Sequence, residues 1–171
     1  SWFWFLGAAY LTQIYEYTKV NLGGAPSVVM TLLSAFSIGI ALGSLLCERL
    51  SGHKVELGLV PLGSIGLTLF GLDLFFHAPE ASGGPLLGIG EFLSQGASYR
   101  VLLDFTLIGL SGGLYIVPLY AMVRERSEEA HRSRIIAAIN IMNALFMVAS
   151  AATGVLLLGV LDLDIPGFFL V

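Results

Sequence analysis

Long apolar runs separated by short polar segments dominate the chain. Five runs are long enough to cross a bilayer: about Trp2 to Lys19, Val28 to Cys47, Leu57 to Phe76, Val101 to Val123, and Ile135 to Val160. A hydrocarbon core of about 30 Å takes roughly 20 residues at a helical rise of about 1.5 Å. Backbone groups must pair internally in lipid, so runs of this length predict helices; a barrel would show shorter, alternating segments. A further helix is expected to begin near Pro166. The expected fold is therefore an all-α integral membrane protein, with residues 1–171 forming a single polytopic helical bundle.

The polar segments sort by charge. Residues 47–56 carry Arg49 and Lys54, and residues 124–134 carry Arg124, Arg126, Arg132 and Arg134. These two segments hold six of the eight Lys and Arg residues. Residues 21–27 have no charged side chain, and residues 77–99 have only Glu80 and Glu91. An excess of Lys and Arg marks the cytoplasmic face. Residue 1 and both basic loops are therefore expected in the cytoplasm of a multi-pass protein. The long connection at 77–99 contains Leu86, Leu87, Ile89, Phe92 and Leu93 after a Gly83-Gly84-Pro85 turn. It reads either as a short helix on the membrane surface, over about 85–95, or as a plain loop.

Composition agrees with this reading. The 171 residues are 56% hydrophobic and 12% charged, against about 25% charged in a soluble domain, and mean hydropathy is +0.87. A net charge of −4 without a basic stretch argues against nucleic-acid binding. Cys47 is the single cysteine, which excludes a disulfide framework and a cysteine-based zinc site. His53, His77 and His131 fall in loops without ligand spacing, so neither metal nor cofactor is expected. The chain opens Ser1-Trp2-Phe3-Trp4 without the basic start of a signal peptide and closes at the onset of another apolar run. It is expected to be a piece of a longer polypeptide.

Polar residues within the runs are the candidate chemistry. Tyr10, Gln13, Glu16 and Tyr17 fall on one broad face of the first helix. Glu16 either serves a substrate or proton path there, or lies at the interface and pairs with Lys19. Asn140 and Asn143 are i, i+3 neighbours in the fifth run, sharing a side with Met147 and Ser150; they either line a path or join helices. Asp104 lies four residues after Arg100, which suggests an interfacial ion pair, and Asp73 is similarly placed. Glycines recur at helix-contact spacing (Gly39 and Gly43; Gly58, Gly63 and Gly66; Gly109, Gly112 and Gly113), and Pro118 is expected to kink its helix.

The loop from Gly43 to Lys54 resembles the signature between the second and third helices of the major facilitator superfamily, repeated in that fold between helices eight and nine. Glu48 stands one place late relative to that signature, and His53 replaces a basic residue. Gly112-Gly-Leu-Tyr-Ile-Val-Pro-Leu-Tyr-Ala-Met-Val-Arg-Glu-Arg126 and Ile135-Ile-Ala-Ala-Ile-Asn-Ile-Met-Asn143 resemble helices ten and eleven of its lysophospholipid transporter branch. The stretches Ser1 to Gly7 and Gly43 to Asp73 are similar to the version fused to a glycerolipid acyltransferase. The resemblance implies most of the C-terminal half of a facilitator, helices seven to eleven.

It further implies movement of lysophospholipid, chiefly lysophosphatidylethanolamine, across a bacterial inner membrane for re-acylation, by alternating access. Gln13, Glu16, Tyr17, Asn140 and Asn143 then become substrate-path candidates, and Glu48 with Arg49 and Glu125 with Arg126 become cytoplasmic latch candidates. The expected partners are membrane lipid, the N-terminal half of the transporter, and a fused or associated acyltransferase. No enzyme activity is expected of the chain itself, since no histidine has an aspartate five residues on. Two alternatives stand: a facilitator for a drug or small polar metabolite, and a non-transport part of a membrane lipid-acylating enzyme.

Overall fold

A computed structural model describes residues 1–52, 56–77 and 85–159. The helix expected near Pro166 lies outside the described residues. The elements, in chain order, are α1 (Trp2–Val20), α2 (Pro26–Ser51), α3 (Leu59–Phe76), the short α4 (Ile89–Leu93), α5 (Gly96–Arg126) and α6 (Arg132–Gly159), with no strand among the described residues. The helix ends follow local chemistry. Pro26 opens α2, where its fixed φ fits and its missing amide is not needed. Gly52 closes the same helix at φ 57°, a left-handed position that suits glycine.

Four helices (α2, α3, α5 and α6) are long and apolar enough to cross a membrane. At 19 residues α1 has the length, but Gln13, Glu16 and Lys19 dilute its apolar character. Packing inside the bundle does not cover the apolar surface. Only 17% of the most apolar stretch of α3, and of α6, is buried. Met30, Ile65, Leu69, Val148 and Val155 all point outward. An apolar exterior of this extent requires hydrocarbon around it. The protein is a membrane-embedded helical bundle.

The most extensive helix contacts are α2 with α5, then α3 with α5, then α1 with α6. The α2–α5 seam is built on glycine from both sides. A Cβ at Gly39 or Gly43 would run into the backbone carbonyls of Thr106 and Leu110. A Cβ at Gly109 would strike the Phe36 carbonyl, and one at Gly113 would lie 2.8 Å from the Ile40 carbonyl. The two Gly-x-x-x-Gly stretches therefore interlock backbone to backbone, where small residues allow the closest approach. Gly63 continues the theme between α3 and α5, with its Cβ position 2.7 Å from the Ser111 carbonyl oxygen. Pro118 lies inside α5, which runs unbroken from Gly96 to Arg126.

The α1–α6 seam is different. Ala8 and Ala9 are buried on α1; Asn143, Ser150 and Gly154 are buried on α6. At i, i+7 and i+11 these three form a narrow stripe of small and polar residues. At the end of the bundle away from the basic loops, the connections before α2 and before α4 are tied together. Ala25 N donates to Leu87 O at 2.9 Å, and Leu87 N donates to Gly23 O at 2.7 Å. The segment 85–95 thus forms one short helix rather than a plain loop. Its Phe92, 1% exposed, turns into the core with Leu74, Val101 and Phe105 instead of lying on a membrane surface.

Candidate functional site

Two cavities use α1 as a wall. One, of about 220 Å³, lies between α1, α2, α3 and α5. Trp2, Leu6, Tyr10, Phe36, Leu67 and Ile108 give it an apolar, aromatic lining, and Thr68 is its hydroxyl-bearing threonine. The other, of about 950 Å³, opens at the arginine-bearing end between α1, α5 and α6. Trp4, Tyr120, Arg124, Glu125, Arg132 and Ile136 are among the residues that line it.

The path candidates divide between the bundle interior and its outside. Tyr17 is fully buried, its ring tilted against Phe105 with centroids 6.4 Å apart. Gln13 is half-buried, while Glu16 is exposed. Facing Ile14, Tyr17 and Thr18 inward places Glu16 about 150° round the helix from the centre of that face. On α6, Asn143 is buried and Asn140 is exposed, so the bundle takes one amide of the pair and leaves the other outside. Among the latch candidates, Glu48, Arg49, Glu125 and Arg126 are all exposed. They sit on the helix ends that carry the basic loops, with Glu125 reaching the larger cavity.

Asn143 has a specific task. Its Nδ2 donates to the Tyr120 hydroxyl at 2.7 Å, and Trp4 Nε1 donates to the same oxygen at 3.2 Å. One phenol thereby joins α1, α5 and α6 beside the larger cavity. Neither Trp4 nor Tyr120 stands out in the sequence as a site residue, because their separation of 116 positions hides the contact. The available signal is the stripe on α5, where Val117, Tyr120 and Arg124 recur at i, i+3 and i+7.

The opposite end holds a second polar group. Arg100 Nε donates to Asp73 Oδ2 at 2.8 Å and Nη2 donates to Oδ1 at 2.6 Å, a bidentate fork between α5 and α3. His77 Nδ1 lies 3.1 Å from the same carboxylate. The expected Arg100–Asp104 interfacial pair is thus superseded: the guanidinium fork reaches across to Asp73. Asp104 is 4% exposed, with its carboxyl against that of Asp73. Two planar N–H groups matched to one carboxylate make a better-directed contact than the i, i+4 alternative. Among the described residues no group of His, Cys, Asp and Glu has the arrangement to hold a metal ion. The chain finds no significant match among protein-family models, curated proteins or solved structures.

Proposed function

We propose that this chain is the greater part of one half of a transmembrane transporter of the facilitator type, with α1 as its fifth span. Its cargo is an amphiphile of the lysophospholipid class, moved between leaflets by alternating access. The observation that carries this reading is the crossed packing of the helices. Divided into successive triplets, α1–α3 and the segment beginning with α5 and α6, the second helix of each triplet packs on the first helix of the other. Two successive triplets packed on each other suit the nested three-helix repeats on which each facilitator half is built. In this reading the half formed by this chain rocks against the N-terminal half, and the path lies between the two. The basic loops face the cytoplasm of a bacterial cell, as the charge bias favours.

The cargo class is favoured by the linings. A cavity walled by Trp2, Leu6, Phe36 and Leu67 suits the acyl chain of such a cargo. A path for a small polar metabolite would expose more amides and charges to the cavities. Re-acylation of the cargo belongs to a fused or associated acyltransferase, outside this chain.

The test is uptake of labelled lysophosphatidylethanolamine by vesicles containing the full-length polypeptide. Leu6→Trp, which fills the smaller cavity, is expected to cut uptake about tenfold or more through overpacking, with Glu16→Gln and Asn140→Ala measured alongside. Collapse in either polar variant would assign that residue to the path. Normal uptake in both would leave them facing lipid or a neighbouring helix. Entry of a small polar solute in place of the lysolipid would overturn the cargo assignment.

A further inference from the structure

We propose that the cavity at the arginine-bearing end is a binding site for the phosphodiester headgroup of an anionic diacyl glycerophospholipid, held as a resident lipid of the surrounding leaflet. The proposal needs the bundle to be embedded in a membrane, but it does not need the chain to transport anything.

Tyr120 supplies the first argument. Its hydroxyl oxygen accepts hydrogen bonds from Trp4 Nε1 and Asn143 Nδ2, so both acceptor positions are occupied. The remaining capacity of a phenol is its own O–H, a donor, and Tyr120 lines the cavity. Arg124 follows one helical turn later on the same stripe, with no ion-pair partner among the described residues. Arg132 comes in from α6, engaged among the described residues only by a long contact from Nη2 to Ser127 O at 3.5 Å. One hydroxyl proton and two guanidinium groups therefore border the same space. Guanidinium matches phosphate oxygens in a fork geometry that favours this ligand over a simple halide.

Charge supplies the second argument. The lining carries Arg124 and Arg132 against Glu125, leaving a net positive site suited to a headgroup of net negative charge. The first turn of α6 holds Arg132 and Arg134 and no acidic residue. Positive side chains at a helix N-terminus oppose the dipole, and a bound anion relieves that opposition. Basic recesses between membrane helices are an established setting for anionic headgroups. The walls decide between lipid and free phosphate. Trp4, Ile116, Val117 and Ile136 form an apolar lining below the arginines, which a free anion would not use but an acyl chain would cover.

The experiment is native mass spectrometry of the full-length polypeptide released from nanodiscs of mixed phosphatidylglycerol and phosphatidylcholine. Wild-type protein should retain phosphatidylglycerol selectively. Arg124→Gln combined with Arg132→Gln should lower that retention about fivefold or more, and Tyr120→Phe about twofold, by loss of charge-assisted and hydroxyl donors respectively. Arg134→Gln, outside the lining, should leave it unchanged. Arg124→Lys keeps the charge without the fork and should fall between, which secures the result if the double variant does not fold. Equal retention of both lipids would overturn the proposal. An equal loss in Arg134→Gln would replace the site with diffuse loop charge. Displacement by millimolar inorganic phosphate would make it a free-anion site, and displacement by lysophosphatidylethanolamine would make it part of the cargo path.

Discussion

Two of the bundle's seams, α2 with α5 and α1 with α6, solve the same problem by opposite means. Between α2 and α5, paired glycines let main chains touch, and the contact is the most extensive between helices among the described residues. Between α1 and α6, small residues bring the helices together less extensively, and the joint is completed by polar ties through Tyr120. The cavities follow the second style, since both have α1 as a wall. A backbone seam has one geometry and no slack. A seam fastened by a few directional bonds can be released and remade, and it leaves room beside it.

The strongest way to break this contrast is Gly39→Leu. The new side chain has nowhere to go but into the Thr106 carbonyl, and the expected loss is on the order of 3 kcal/mol or more, at the upper end for overpacking. It would be read from unfolding in mixed detergent micelles. A nearly wild-type result would mean that the seam can part, and that α2 and α5 are no more fixed than α1 and α6.

Asn143→Ala sharpens the other side. Loss of one interhelical hydrogen bond in a membrane bundle costs about 0.6 kcal/mol and at most about 1.7. The same unfolding assay should therefore show a small shift, accompanied by changed Trp4 fluorescence as Tyr120 loses one of its two donors. A loss as large as that of Gly39→Leu would erase the distinction between the seams. The smallest effect is expected from Arg100→Gln. That ion pair lies at the exposed rim of α3 and α5, where solvent screening leaves little net stabilisation. The variant should unfold close to wild type and lose the salt dependence of the rim pair.

These seams were unequally legible in the amino-acid sequence. Glycines spaced by four, at Gly39 and Gly43 and again at Gly109 and Gly113, announce close helix contact because spacing within a helix is a local property. The run lengths likewise placed α2, α3, α5 and α6 to within a few residues, although α5 and α6 begin earlier than their apolar runs. The partners of polar side chains are a different matter. Arg100 has Asp104 one turn away on its own helix, yet its fork goes to Asp73, 27 positions back. Asn143 and Tyr120 meet only because α5 and α6 approach at that level. Hydropathy also could not say that Phe92 turns inward, since an apolar residue after a turn serves a membrane surface and a protein core equally well.

The glycine seam also sets an order of events during synthesis. Gly39 and Gly109 are separated by about 70 residues, so at roughly 5–20 residues per second the ribosome reaches the mate of α2 about 4 to 14 seconds after α2 itself. Through that interval α3 is made and passed over, while the grooved face of α2 waits in the bilayer for a helix not yet translated. A pause between α3 and α5 would lengthen the wait, and whatever shields that groove in the meantime acts, in effect, as a chaperone for the fold.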